Sequence, residues 1–222
     1  MRLFLGNELL DLTKEDLQKL YVDQGMEAIV YKYGDEAIKI YKEHCSKVRL
    51  DEASAIGLSE IYTERILLPR RILRIAENNK FNGYSLSYID EIRREDIPQI
   101  GMSEFVDELD IIDNDLMILA DNHVKVADFT FSNLLYNGSF FIGDPGSFEF
   151  DKDISKKLIY KANTFLFNTF VTDKIFNMAG VSYYRRKMLK NQFYEWEYIG
   201  DQIRKTAKPD ESIKQYVIRM TR

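Results

Sequence analysis

Three polar residues in the middle of the chain have the types and the spacing of a phosphate-transfer site. Asp128 precedes Asn133 by five positions, and Asp144 follows after the short apolar runs LLY and FFIG. Carboxylate and amide oxygens are the hard ligands that Mg²⁺ takes when substrate phosphates complete its coordination. We therefore expect Asn133 and Asp144 to hold a metal ion, and Asp128 to accept the proton of an attacking hydroxyl.

The same residues also fit a purely structural interpretation. Asn137-Gly138 and Asp144-Pro145-Gly146 are typical turn sequences, in which the polar side chains only bond to nearby backbone. Both interpretations need the same elements, namely one short strand that starts after Asn133 and one that ends before Asp144. The other segments of the chain must therefore decide between a phosphate-transfer site and purely structural turns.

The first ninety residues are rich in strand signals with one inserted helix. The runs Ala28–Tyr33 and Ala37–Tyr41 flank the sequence GDE, which predicts a β-hairpin. Residues 46–59 have apolar positions at roughly helical spacing, and YSLSYI alternates like a strand. Pro69 interrupts RILLPRRILRIA, so that run predicts an edge strand or a strand entered after a turn. Lys39, at the end of EAIK, falls inside the second strand of the hairpin.

The composition changes in the second half of the chain. From residue 154 onward, apolar residues recur at three- and four-residue spacing, which is typical of amphipathic helices. We therefore predict an α+β protein, with a β-rich lobe over residues 1–90 and a small, mainly helical lobe over residues 91–222. One group of acids in the second lobe predicts a solvated helix or loop face, namely Glu104, Asp107, Glu108, Asp110, Asp113 and Asp115.

The totals exclude several classes of protein. The 222 residues are 45% hydrophobic and 30% charged, as in ordinary globular domains. A net charge of -5 disfavours general nucleic-acid binding. Residues 181–222, however, carry ten Lys or Arg against five Asp or Glu, which predicts a solvated helix face or a docking surface for an acidic partner.

The sequence also lacks the signals of secretion and membrane insertion. No run approaches the roughly 18 consecutive apolar residues of a membrane helix. The apolar run at the start is too short for a secretory signal, and the single cysteine, Cys45, excludes an internal disulfide. We therefore expect a cytoplasmic protein without membrane contact.

Taken in order, these segments resemble the protein-kinase-like superfamily, including its compact bacterial members. EAIK resembles the family's V-A-I-K, which implies that Lys39 holds the α- and β-phosphates of ATP. DQGMEAIVY resembles an eroded G-x-G-x-x-G-x-V loop. In that loop Gly25 matches the second glycine, whereas Asp23 and Ala28 occupy the other two glycine positions.

The central residues extend this resemblance. DFTFSN resembles the catalytic loop D-L-x-x-x-x-N through Asp128 and Asn133, and DPG resembles D-F-G, which implies that Asp144 is the principal metal ligand. SYID resembles the linker between kinase lobes, where adenine would bond to the backbone of Tyr88 and Ile89. The resemblance thus implies a two-lobed fold, ATP and Mg²⁺ as cofactors, and phosphoryl transfer.

The resemblance also implies an acid that pairs with Lys39, and two residues qualify. Glu52 lies within the best helical stretch, whereas Glu60 falls where that helix gives way to IYTERILLP. We take Glu52 as the partner and count it in the catalytic set. Either acid could equally be a solvated helix residue, and Lys39 could be a lysine that snorkels to the surface.

Several family features are missing. Val126-Ala127 replaces the His-Arg before the catalytic Asp, Pro145 replaces the phenylalanine of D-F-G, and no A-P-E follows. A typical protein kinase is therefore not expected, and the acceptor, a small molecule or a protein, stays open. Two other functions are carried forward: a pseudokinase-type binding or scaffold module, and nucleotidyl transfer in the same cleft.

Overall fold

The computed structural model describes residues 1–43, 50–90, 93–180 and 198–221. The first part of the helix predicted over residues 46–59 and residues 181–197 of the predicted helical tail lie outside these residues. The chain divides into two compact units, each built from separate segments. The first unit comprises Met1–Tyr62, Leu67–Asp90 and Gly143–Ser147, and the second comprises Thr63–Ile66, Glu91–Ile142 and Phe148–Arg222.

An antiparallel sheet of seven strands forms most of the first unit, and the fold is α+β, as predicted. Its strands follow the order β2-β1-β6-β7-β5-β4-β3. Their bounds are β1 Arg2–Leu5, β2 Glu8–Asp11, β3 Tyr21–Gln24, β4 Ala28–Tyr33, β5 Glu36–Tyr41, β6 Ile72–Ile75 and β7 Phe81–Ser87. Two helices accompany them, α1 Lys14–Leu20 and α2 Glu52–Ser59.

The predicted hairpin is present as β4 and β5, and Gly34 takes a φ of 62° in its turn. This left-handed backbone favours glycine because a Cβ would be strained there. The run after Pro69 forms β6, which pairs with β1 on one side and with β7 on the other. The edge-strand alternative for this run is therefore wrong, because Pro69 lies before the strand and not within it.

The two faces of β5 carry different chemistry. Ile38 and Ile40 contribute to an apolar cluster with Leu3, Leu5 and Leu73. Successive side chains of a strand point to opposite faces, so Lys39 points away from this cluster. The sheet thus buries Lys39 without placing it in the apolar core.

The second unit contains four α-helices and two small antiparallel strand pairs among its described residues. Strand β8 (Val124–Val126) pairs with β11 (Phe148–Phe150), and β9 (Leu134–Tyr136) pairs with β10 (Phe140–Ile142). The helices are α3 Met102–Asp121, α4 Lys156–Phe170, α5 Ile199–Thr206 and α6 Ile213–Met220. No described helix of either unit is long and apolar enough to cross a membrane.

Only part of the acidic run of α3 forms the solvated face predicted from the sequence, because Glu104 and Asp107 are exposed whereas the other acids are partly or fully buried. Asp115 is fully buried, and its carboxylate accepts the backbone N–H groups of Glu64, Arg65 and Ile66 at 2.9, 2.6 and 2.9 Å. Glu108 accepts two hydrogen bonds from the Arg65 guanidinium, at 2.9 and 3.2 Å. These acids fix a loop segment to the helix, because its backbone donors have carboxylate acceptors.

Candidate functional site

Lys39 and Asp144 form an ion pair in the first unit. The Nζ atom of Lys39 donates to Oδ1 of Asp144 at 2.5 Å, and the two side chains are 9% and 43% exposed. Asp144 follows β10 directly after Gly143, in a turn where its φ is 59°. The predicted phosphate-binding lysine and the predicted metal ligand are therefore adjacent, and the ligand carboxylate remains accessible to solvent.

A third charged group approaches the same point. A Cβ built on Gly146 would lie 3.0 Å from Asp144 Oδ1, 3.7 Å from Lys39 Nζ and 3.8 Å from Glu27 Oε2. The lack of a side chain at Gly146 thus leaves a small space bounded by one ammonium and two carboxylates. These groups suit a magnesium-bound phosphate, because carboxylate oxygens ligate the metal and an ammonium binds phosphate oxygen.

Among the described residues, no group of three or more His, Cys, Asp or Glu side chains could hold a metal ion. Mg²⁺ at phosphate sites usually takes one or two protein carboxylates, and substrate oxygens supply the remaining ligands.

Tyr84 lies next to Lys39 on the neighbouring strand β7. It pairs with Lys39 across β5 and β7, and the Lys39 Nζ lies 5.7 Å from the centre of its ring. Burial, together with the nearby charge of Asp144, raises the pKa of Tyr84 well above its ordinary value. Its hydroxyl is buried and has no hydrogen-bond partner in the described part of the chain. Sequence motifs did not identify this residue.

Gly83 allows the two strands to approach closely at this position. Its φ is 140°, and a Cβ there would lie 1.9 Å from the carbonyl oxygen of Lys39. No other residue fits this backbone without moving β5 away from β7. Gly83 therefore fixes the strand that carries Lys39.

The predicted pairing of Lys39 with Glu52 is not present. Glu52, at the start of α2, instead pairs with Arg74, whose Nε donates to Oε1 of Glu52 at 2.7 Å. Lys39 lies against Asp144 and Glu27. Glu60, the other candidate, is an exposed residue that ends α2. The sequence indicated a helix acid because the family uses one, but strand β6 supplies Arg74 to that acid here.

The eroded glycine loop is a closed turn between β3 and β4. The N–H of Gly25 donates to the carbonyl of Ala28 at 3.0 Å, and Ala28 is buried at the start of β4. A Cβ on Gly25 would meet nothing within 4 Å. In this conformation, the amide predicted to approach phosphate already has a partner within the turn.

The predicted adenine segment follows β7. The N–H of Tyr88 donates to the carbonyl of Asp35 at 2.8 Å, and both Tyr88 and Ile89 are partly exposed. Lys32 lies over the Tyr88 ring, 4.2 Å from its centre, and forms an ion pair with Asp90 at 3.1 Å. The segment therefore has a defined position at the end of the sheet.

The predicted catalytic loop lies in the second unit, between β8 and β9. Asp128 is exposed, and Asn133 ends a single 3₁₀ turn, Phe131–Asn133, just before β9. Phe129 points the other way and is buried, with its ring 5.8 Å from that of Phe167 in α4. This alternation presents Asp128 to solvent while its neighbour anchors the loop to the helix.

Two residues that sequence motifs missed hold this loop in place. Arg94 donates to the carbonyls of Ser132 and Leu134, at 3.0 and 2.5 Å, on either side of Asn133. Asn163, fully buried in α4, accepts from the Val126 N–H at 2.9 Å and donates to the β8 backbone. Asn163 lies in the helical sequence YKANTF, where a single Asn does not indicate its role until its partners are known.

The basic tail is partly neutralised within the second unit. Arg204 pairs with Asp110, and Arg219 donates to both carboxylate oxygens of Glu211 at 2.7 Å. Lys205 is exposed on α5. These pairs weaken the case for an acidic partner, because two of the described basic side chains already have acidic partners.

No protein-family model matches this chain, and no curated protein matches its sequence significantly. The function must therefore be inferred from the residues and their geometry.

Proposed function

We propose that this protein is an ATP- and Mg²⁺-dependent phosphotransferase with a two-lobed, protein-kinase-like fold of the atypical class. The observation that supports it best is the convergence of Lys39, Asp144 and Glu27 on the space left by Gly146. A buried ammonium next to an accessible carboxylate is the arrangement that binds phosphate and metal together.

Each predicted residue then has a defined task. Lys39 would contact the phosphates and Asp144 would supply an oxygen ligand for the metal, and the sequence resemblance assigns a further metal ligand to Asn133. Asp128 orients the acceptor hydroxyl and accepts its proton. A bound Mg²⁺ would supply positive charge that stabilises the negative charge developing on the phosphates during transfer. The protein itself contributes mainly positioning and electrostatic stabilisation.

The experiment is thermal unfolding with millimolar ATP, with and without Mg²⁺. We expect ATP with Mg²⁺ to raise the midpoint of the wild type, because ligand binding stabilises the native state by mass action. Asp144→Asn should lose the Mg²⁺-dependent part of this rise. Glu149→Gln removes an exposed acid five positions away and serves as the control that keeps it. No rise in the wild type, or an equal rise in Asp144→Asn, would contradict the proposal.

A kinase-like binding module without catalysis is the second candidate. It is favoured by the closed turn at Gly25, whose N–H already donates to the carbonyl of Ala28 within the turn. Incubation with γ-labelled ATP separates the two functions. Label released to water or to an acceptor by the wild type, but not by Asp128→Asn, supports the transferase. Binding of ATP without any turnover supports the module, and release from α-labelled ATP would indicate nucleotidyl transfer.

A further inference from the structure

Glu27 lies at the candidate phosphate site, although no sequence motif assigns it a role. It occupies the turn between β3 and β4, and its side chain is 26% exposed. Its Oε2 atom lies 4.0 Å from the Lys39 Nζ. The turn is held in place by Lys42, whose backbone N–H donates to the Glu27 carbonyl at 2.9 Å and whose Nζ donates to the Gly25 carbonyl at 2.7 Å.

The charge on Lys39 requires acidic partners because its side chain is only 9% exposed. A buried ammonium without a nearby anion is strongly unfavourable. Asp144 meets this requirement at 2.5 Å, and Glu27 is the second carboxylate within 4.0 Å. The helix acid Glu52 does not contribute, because it is paired with Arg74.

Asp144 cannot satisfy Lys39 and a metal ion equally well. A carboxylate that ligates a cation shares its negative charge with that cation and neutralises a neighbouring ammonium less. Lys39 would then depend on the remaining carboxylate, and a residue of the turn would take the part that a helix acid plays in the resemblance.

We propose that Glu27 is a positioning residue that holds the Lys39 ammonium in place for phosphate while Asp144 serves as the metal ligand. This inference rests on the proposed function and deepens it, because it couples nucleotide binding to the turn between β3 and β4. Glu27 acts through Lys39 and does not touch the reacting atoms.

The test is calorimetric titration of Mg–ATP into four variants and the wild type. Glu27→Gln removes the charge but keeps the shape, and we expect it to weaken binding about fivefold, as for a partly exposed charge pair. Glu52→Gln is the matched control and should bind like the wild type. Adding Glu27→Gln to Lys39→Met should cause no further loss, because the ammonium is already absent. A merely structural role would weaken binding equally in both backgrounds.

Unchanged binding by Glu27→Gln would overturn this inference and leave the proposed function intact. Tighter binding would also overturn it, because Glu27 would then compete with phosphate. Absence of Mg–ATP binding by the wild type would contradict the proposed function instead. In that case, the free energies of unfolding of the nucleotide-free proteins test whether Glu27 and Lys39 interact. Additive effects of Glu27→Gln and Lys39→Met would exclude the ion pair. Non-additive effects would retain Glu27 as the residue that holds Lys39.

Discussion

The Nζ atom of Lys39 and the Oδ1 atom of Asp144 lie 2.5 Å apart, although 105 positions separate the two residues in the chain. This pair joins the central sheet to the turn Gly143–Ser147, and both residues belong to the same compact unit. The turn also gives Asp144 a left-handed backbone with a φ of 59°. Its side chain and its backbone therefore constrain substitution in different ways.

The first prediction separates these two constraints. Asp144→Asn and Asp144→Ala both remove the charge that neutralises Lys39. Asn tolerates a left-handed backbone, whereas Ala adds a conformational cost of about 1 kcal/mol. Urea unfolding should show Asp144→Ala to be the less stable of the two by about this amount. Equal stability would mean that the backbone at Asp144 carries no strain.

The second prediction concerns Gly83. Gly83→Ala should lower the free energy of unfolding by more than about 3 kcal/mol, because its Cβ would overlap the Lys39 carbonyl in a strained backbone region. Gly25→Ala is the matched control, because a Cβ there meets nothing within 4 Å. Its unfolding free energy should stay within about 0.5 kcal/mol of the wild type. Comparable losses at both glycines would contradict the close approach of β5 and β7.

A third prediction tests the buried carboxylate of α3. Asp115→Asn leaves one acceptor oxygen for three backbone N–H groups, and buried donors without acceptors are costly. We expect a loss of about 2 kcal/mol or more in the free energy of unfolding, measured in urea. Asp107→Asn, at an exposed position of the same helix, should change it by less than about 0.5 kcal/mol. If Asp115→Asn left the free energy of unfolding unchanged, the Glu64–Ile66 segment would have to be held by other contacts.

The fourth prediction is a pH dependence at Asp113. Burial raises the pKa of this carboxyl to about 6, helped by the negative charges of Asp110 and Asp201 and opposed by the Tyr160 hydroxyl, which donates to it at 2.9 Å. In the unfolded chain the group ionises near pH 4, about its ordinary value. Between these values the folded state binds more protons, so the free energy of unfolding falls as pH rises.

Asp113→Asn should therefore remove part of the difference in the free energy of unfolding between two pH values. These are pH 4.5, about the lower limit of this window, and pH 7. Because the carboxyl is partly exposed, the effect should be about 1 kcal/mol. Urea unfolding at both pH values measures it, and Asp107→Asn should keep the wild-type difference. An identical difference in wild type and Asp113→Asn would exclude an elevated pKa for Asp113.

Local elements of this protein were predictable from sequence, whereas side-chain partners were not. The β4–β5 hairpin followed from two alternating runs around Gly34, and the α+β class from the change in apolar period. These signals are local, so the residues that produce them also form the element. Lys39 could be placed on a strand for the same reason.

The partner of Lys39 depended on contacts between distant segments. Helical spacing placed Glu52 on a helix but could not show that β6 brings Arg74 to it. The acidic run of α3 predicted a solvated face because a pattern of charges in the sequence does not indicate which backbone N–H groups will lie against a helix. The roles of Glu27, Tyr84 and Arg94 were invisible for the same reason: each is defined by a neighbour far away in the chain.

Each compact unit also includes a short segment that comes from within the sequence range of the other unit, and this affects how the protein folds during synthesis. The first unit includes Gly143–Ser147, and the second includes Thr63–Ile66. A growing chain on the ribosome therefore cannot complete the first unit when residue 90 emerges, because Asp144 has not yet been synthesised. Lys39 therefore lacks its closest counter-charge until the Glu91–Ile142 segment of the second unit has also left the exit tunnel. A gene truncated at residue 90 would encode a sheet that lacks that counter-charge and carries Glu64–Ile66 without the acceptor Asp115.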